Sequence, residues 1–251
     1  MIRKKDYSVL ARSYNTLSNS HQLKELVSSI YKTEKFNELS RFELIKTIND
    51  AVFKNYEGEQ ILKFKLAKEF IKKDYVAAFE VRVNTSRTDF LVINGDSKSF
   101  EIKSKIDTLY RLKKQIDDYG DVFEYNHVVI DKTHLRKVID MVPEHYGVWC
   151  FEGSKKVVYK DAKYSPNINA ISQLNLLNKK ELTKYFMSSF KEDILLQFDH
   201  SIINDLVKES LKARYMKRWS FILNNWDDII PIDLQFFFNT NLSPDIIYDD
   251  F

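Results

Sequence analysis

The sequence predicts a mixed α/β protein, a mixed central sheet flanked by helices, with helical N- and C-terminal extensions. Three observations predict it. Hydrophobic spacing is helical up to about residue 73, runs in short β-branched and aromatic blocks between Tyr75 and Tyr159, and turns helical again from Ser165. Glycine and proline are scarce (Gly 5, Pro 4), which favours long helices with few tight loops and argues against a glycine-built phosphate cradle. The 251 residues are 44% hydrophobic, enough for a sizeable core and too apolar for a disordered tail.

The elements follow in order. Leu23, Leu26, Val27 and Ile30 lie at helical spacing in a polar lead-in. Two helical patterns occupy Arg41 to Lys73, one carrying Phe42, Leu44, Ile45 and Ile48, the other Ile61, Leu62, Phe64, Leu66, Ala67 and Phe70, with Tyr56-Glu57-Gly58 between them. After Lys72-Lys73-Asp74 the period changes. Tyr75 to Val83, Thr88 to Ile93 and Phe100 to Ser104 read as strands, and Asn94-Gly95 signals a hairpin between the last two. Asp107 is placed to cap a helix from Thr108 to about Tyr119, with Leu109, Leu112 and Ile116 on its buried stripe. A strand at His127 to Ile130, a helix from about Leu135 and a strand pair at Gly147 to Phe151 and Lys156 to Tyr159 complete the core. Leu174, Leu176, Leu177, Leu182 and Phe186 then precede a long helix around Ile202 to Trp226. The expected division is 1–55 as helical extension, 56–162 as core and 163–251 as a helical module packed on it.

Lys+Arg 39 against Asp+Glu 36 gives +3, so no global positive field announces nucleic acid, though a local basic groove fits within that balance. A single cysteine, Cys150, excludes an internal disulfide framework and a zinc site of several thiolates. The N-terminal Met1-Ile2-Arg3-Lys4-Lys5-Asp6 has no apolar signal-peptide core after it, and no window approaches the roughly 20 apolar residues of a membrane span. A cytoplasmic protein without a membrane partner is expected.

The chemistry concentrates in the second and third strands. Glu101 and Lys103, two apart on a strand, share a face. If the hairpin loop is Asn94 to Asp96 with a left-handed glycine, Val92 pairs with Lys98, Leu91 with Ser99, and Asp89 stands opposite Glu101; a two- or four-residue loop would turn Asp89 to the other face. Two carboxylates side by side on an apolar strand pair call for a cation, and hard oxygen ligands suit Mg²⁺ or Mn²⁺. A lysine beside such an ion can assist an attacking water and stabilise charge developing on phosphate. An ion-pair ladder across the hairpin is the plain alternative. Arg111, Gln115 and Tyr119, spaced i, i+4, i+8, form a polar stripe opposite Leu109, Leu112 and Ile116.

The string Arg87-Thr88-Asp89-Phe90-Leu91-Val92-Ile93-Asn94-Gly95, then Phe100-Glu101-Ile102-Lys103-Ser104, then Asp107-Thr108-Leu109-Tyr110-Arg111-Leu112 with Gln115 and Tyr119, resembles a PD-(D/E)XK nuclease core. More narrowly it resembles the bacterial and phage family labelled sce-seventy-seven-twenty-six, over roughly residues 57 to 160. The resemblance implies a restriction-endonuclease-like core in which Asp89, Glu101 and the carbonyl of Ile102 are metal ligands and Lys103 is the catalytic lysine. It also implies an upstream acidic ligand, for which Glu80 ranks ahead of Glu57 and Glu59. Gln115 and Tyr119 join the catalytic set, and Arg87 and Arg111 bind substrate. Thr88 stands where many members have proline.

The expected function is therefore a Mg²⁺- or Mn²⁺-dependent nuclease acting on DNA, with RNA as another substrate class. The alternative is a catalytically silent nuclease-fold protein that binds nucleic acid or another protein. The helical flanks offer a surface for a protein partner or a homodimer. His127, His134 and His145, seven and eleven residues apart, match no compact zinc pair, and Cys150, between Trp149 and Phe151, reads as a buried structural thiol. Lys208, Lys212, Arg214, Lys217 and Arg218, interleaved with Tyr215 and Trp219, read as a solvated helix face in preference to a nucleic-acid track. Phe236-Phe237-Phe238 reads as core and Asp249-Asp250-Phe251 as an exposed tail.

Overall fold

The computed structural model describes the chain apart from residues 1–3, 34, 56–57, 72–73 and 250–251. Parts of the Tyr56-Glu57-Gly58 and Lys72-Lys73-Asp74 boundaries and of the terminal tail thus lie outside the described residues. In chain order the helices α1 (Lys4–Ser13), α2 (Ser20–Tyr31), α3 (Arg41–Asn55) and α4 (Glu59–Lys68) lead into strands β1 (Val76–Val83), β2 (Ser86–Asn94) and β3 (Asp96–Lys103). Then come α5 (Leu112–Gly120), β4 (Tyr125–Ile130), α6 (Leu135–Met141), β5 (Gly147–Glu152) and β6 (Lys155–Lys160). The remainder is helical: α7 (Ala170–Leu174), α8 (Lys179–Phe186), α9 (Lys191–Gln197), α10 (His200–Asn224), α11 (Leu234–Thr240) and α12 (Pro244–Tyr248).

The chain divides into two compact units, Lys65–Ser220 and the pair of segments Met1–Phe64 and Phe221–Phe251. This division does not coincide with the one expected from sequence, because residues 163–220 cluster with the sheet and the last thirty or so with the N-terminal helices.

The unit 65–220 holds a six-stranded mixed sheet in the order β1-β2-β3-β4-β5-β6. β1, β2 and β3 form an antiparallel meander, β3, β4 and β5 run parallel, and β6 returns antiparallel to β5. The parallel pairs are those joined through helices, α5 between β3 and β4 and α6 between β4 and β5, as a parallel crossover requires. One face of the sheet packs Val128, Ile130, Val148 and Cys150 against Leu112 and Ile116 of α5 and Val138 of α6. The other face is aromatic: Phe100 stacks on His127 at 4.5 Å and meets Trp149 at 5.1 Å, while Phe90 meets Trp219 of α10 at 6.0 Å. Burial lowers the His127 pKa to about 3, so it serves here as a neutral ring.

The helix expected from Thr108 begins instead at Leu112. The Asp107 carboxylate is spent backwards, accepting from the Ser104 N–H at 2.7 Å and the Ser104 hydroxyl at 2.6 Å, so it closes a turn after β3 and caps no helix.

The other unit buries Leu10, Leu23, Val27, Leu44, Ile45 and Ile48 with Phe237, Phe238 and Ile247. At its centre Asp233 accepts from Thr16 at 2.6 Å, Tyr14 at 2.9 Å and Tyr248 at 3.1 Å. Arg41, fully buried, donates to the carbonyls of Ser18, Thr16 and Ile247.

Candidate functional site

The geometry of the site starts from the β2–β3 hairpin. Val92 pairs with Lys98, Leu91 with Ser99 and Asn94 with Asp96, which is the odd-loop register, and its continuation sets Asp89 opposite Glu101. Gly95 sits at the apex with φ +73, and a Cβ there would meet nothing within 4 Å; the backbone conformation, not space, selects glycine. On the other side of β2, Phe79 pairs with Phe90 and Val81 with Thr88, so Glu80 stands opposite Asp89. Glu80, Asp89 and Glu101 thus form one row across three strands, on the face away from Phe79, Phe90 and Phe100, and Lys103 follows two residues beyond Glu101. Thr88 is fully buried, and its hydroxyl lies 3.1 Å from the Phe100 carbonyl oxygen.

Glu80 holds φ +55 in mid-strand. A left-handed glutamate in a β-strand costs on the order of 1–2 kcal/mol, a strain that persists only when the surroundings impose it. A carboxylate oxygen of Glu80 lies within 4.8 Å of one of Asp89, and the Arg87 guanidinium lies 3.8 Å from Glu80. Asp89, half-buried, accepts the backbone N–H of Ile102 at 2.6 Å, which holds its carboxylate against β3.

Glu101 is buried, with 2% of its surface exposed. Its Oε1 accepts from Lys103 Nζ and from Gln115 Nε2, each at 2.5 Å, and its Oε2 accepts from the Tyr119 hydroxyl at 2.8 Å. Burial pushes the Glu101 carboxyl above its ordinary value, and the Lys103 charge with the three hydrogen bonds opposes that push. The Tyr119 hydroxyl also lies 2.7 Å from the Arg87 carbonyl oxygen. One phenolic hydrogen serves one acceptor at a time, so the Tyr119 hydroxyl donates either to Glu101 or to the Arg87 carbonyl. Burial and then the charge on Glu101 push the Tyr119 phenol well up, so it keeps its proton.

Gln115 orients its amide nitrogen toward Glu101, since the flipped amide would set oxygen against carboxylate. Its Oε1 is buried and, among the described residues, has no hydrogen-bond partner. Such an orphan costs about 1–3 kcal/mol and calls for a donor such as water. Glu80 and Asp89 bring hard carboxylate oxygens within 4.8 Å of one another, donors of the kind that Mg²⁺ or Mn²⁺ takes, while both oxygens of the buried Glu101 already accept from Lys103, Gln115 and Tyr119.

The predicted site residues fall into two groups. Asp89, Glu101, Lys103, Gln115, Tyr119 and Glu80 converge on this face of the sheet. Arg87 is about 61% exposed beside Glu80, and Arg111 is exposed just before α5, so neither is fixed in the cluster. Ile102 is buried in β3 with its N–H committed to Asp89. Of the other acidic candidates, Glu57 lies outside the described residues and Glu59 opens α4, the helix that the division between the two units splits at Phe64 and Lys65. In the C-terminal basic stretch, Lys208 pairs with Glu124 at 2.9 Å and Arg214 pairs with Glu181, so two of its cations are spent inside the fold. Sequence reasoning missed Arg82, Asn84 and Asn175, which with Glu80 and Arg214 line a cleft. The i, i+2 spacing of Glu80 and Arg82 was the available signal.

The family described as Bacteriophage P4 protein cII matches residues 54–237. The chain belongs to that family. Protein cII of Enterobacteria phage P4 is 28% identical over 132 residues, covering 51% of this chain and 46% of the phage protein, so the chain spans about half the length of that relative. Among solved structures, a protein of unknown function from Silicibacter pomeroyi is similar with a TM-score of 0.36 and 13% identity, over 45% of this chain and 77% of that one. No helix among the described residues is long and apolar enough to cross a membrane.

Proposed function

We propose that the chain is a metal-dependent nuclease that hydrolyses phosphodiester bonds in DNA. One observation carries the reading: three carboxylates, Glu80, Asp89 and Glu101, stand in one row across adjacent strands, with a lysine bonded to the most buried of them. Such a row is electrostatically expensive without a cation. The meander β1–β3 followed by α5 and the parallel strand β4 supports a restriction-endonuclease-like arrangement, in keeping with the resemblance of the Asp89 to Tyr119 string to PD-(D/E)XK nucleases.

In this reading Asp89, Glu101, Glu80 and the carbonyl of Ile102 would hold Mg²⁺ or Mn²⁺. The ion supplies Lewis acidity and a lowered pKa for a water it binds. Lys103 places positive charge where phosphoryl oxygens gather, and the Gln115 Oε1 accepts a hydrogen bond from water. Tyr119 fixes the Glu101 carboxylate from the opposite side. Arg87, exposed beside Glu80, and Arg111, exposed just before α5, would meet substrate phosphates.

A second reading, a catalytically silent nuclease-fold protein that binds nucleic acid or a protein partner, has one observation in its favour: Glu101 already accepts three hydrogen bonds. Cleavage of circular and linear DNA by wild type and Lys103→Ala, in Mg²⁺, Mn²⁺ or EDTA, separates the two. Metal-dependent cleavage that falls about 10²–10³-fold in the variant supports the nuclease. Absence of cleavage on every substrate, together with no metal binding by calorimetry, supports the silent reading.

A further inference from the structure

We propose that the cleft that Glu80 helps to line seats an unpaired stretch of single-stranded DNA and so gives the site a preference for unpaired over duplex substrate. This inference rests on the nuclease reading for its consequence, though not for its test.

The cleft has a volume of about 600 Å³ and is lined by Glu80, Arg82, Asn84, Asn175, Arg214 and Tyr215. That volume is within the roughly 300–1,000 Å³ of sites that enclose a small ligand, room for a nucleotide or two and far less than a duplex. Its lining combines the groups that hold single strands: a cation, Arg82, for the backbone, an aromatic ring for stacking, and side-chain amides for base edges, which a closed duplex keeps inside. Arg82 lies two residues after Glu80, so both point to one side of β1, and its side chain is exposed. Arg214 is held rigidly, its Nε 2.7 Å from Glu181 and a terminal nitrogen 2.8 Å from the Leu176 carbonyl oxygen, with its guanidinium 5.6 Å from the Tyr215 ring centre. Because Glu181 offsets the Arg214 charge, Arg82 is the main phosphate-attracting group and Arg214 and Tyr215 give the wall its shape.

Glu80 is common to the cleft and to the carboxylate row. A strand lying in the cleft therefore meets one member of the row, and the negative charge of Glu80 opposes that approach unless a divalent cation is present.

The test is fluorescence anisotropy on the full chain with a labelled oligothymidine and with a hairpin duplex of equal length, in Ca²⁺ and in EDTA. Wild type is expected to bind the single strand about tenfold more tightly than the duplex, and more tightly in Ca²⁺ than in EDTA. Tyr215→Ala is expected to lower single-strand affinity about tenfold, with Tyr215→Phe restoring it. Arg82→Ala, at an exposed position that leaves folding intact, lowers it too and reduces the log–log salt slope by about 0.7, the loss of one phosphate contact. Equal affinity for both nucleic acids overturns the proposal, as does unchanged single-strand binding in Arg82→Ala. Single-strand binding that depends on Arg82 without any cleavage in Mg²⁺ sinks the nuclease reading and leaves the cleft standing.

Discussion

Two buried carboxylates, Glu101 in the unit 65–220 and Asp233 in the other, look alike by burial and hydrogen-bond count and differ in what surrounds them. Each accepts three hydrogen bonds, and in each burial pushes the carboxyl up, Asp233 to about 6. Asp233 gathers Thr16, Tyr14 and Tyr248, hydroxyls from separate stretches of chain, and Arg41 spends its hydrogen bonds on backbone carbonyls. Glu101 stands in a row with two further carboxylates, one of them Glu80 at φ +55 two strands away, and beside an amide oxygen that has no partner among the described residues. The lesson is that burial of an acid does not mark chemistry. What separates the two sites is the polar capacity left open at Gln115 Oε1 and the gathering of like charge around Glu101, both of which cost free energy that packing alone does not return.

The contrast is broken or sharpened by four measurements. The largest expected effect is the 10²–10³-fold fall in cleavage for Lys103→Ala given above, with no such fall in the folded fraction of Asp233→Asn. Next, Arg41→Met strands three buried carbonyls and removes a cation from beside Asp233; urea unfolding is expected to show a loss of about 3–5 kcal/mol. Retention of wild-type stability would show that the Arg41 network is ornamental.

Third is the pH dependence of the Asp233 unit. The Asp233 carboxyl titrates at about 6 in the fold against 3.8 ordinarily, so between those values the folded state holds the extra proton. Its contribution therefore makes the fold more stable as pH falls from about 6 toward 4, by about 3 kcal/mol. Thermal melts across that window for wild type and Asp233→Asn are expected to differ by this slope, and parallel curves would remove Asp233 as its source. The smallest effect is at Glu80. Glu80→Gly relieves the left-handed backbone and is expected to raise stability by about 1 kcal/mol in EDTA, while reducing the rise in melting temperature that Mn²⁺ gives wild type. A variant that gains stability and keeps the full Mn²⁺ response takes Glu80 out of the metal set.

What the sequence by itself determined is local. The Asn94-Gly95 turn and the alternation on either side set the β2–β3 register, and with it Asp89 opposite Glu101 and Lys103 on the Glu101 side. The i, i+4 spacing of Gln115 and Tyr119 likewise placed both where they reach Glu101. The strands and the long helix α10 were legible for the same reason: hydrophobic period and turn residues act over a few positions. Tertiary structure alone decided the rest. Asp107 had the signature of a helix cap and is instead taken by Ser104, because a short polar side chain bonds whichever backbone donor the chain brings to it. The left-handed turn of Glu80 appears in no local preference. The assembly of Asp233 with Tyr14, Thr16 and Tyr248, and the division of residues 163–251 between two units, join stretches far apart in the chain. Their pairing is set by which buried polar groups must satisfy one another once water is excluded, a condition that no local window of sequence contains.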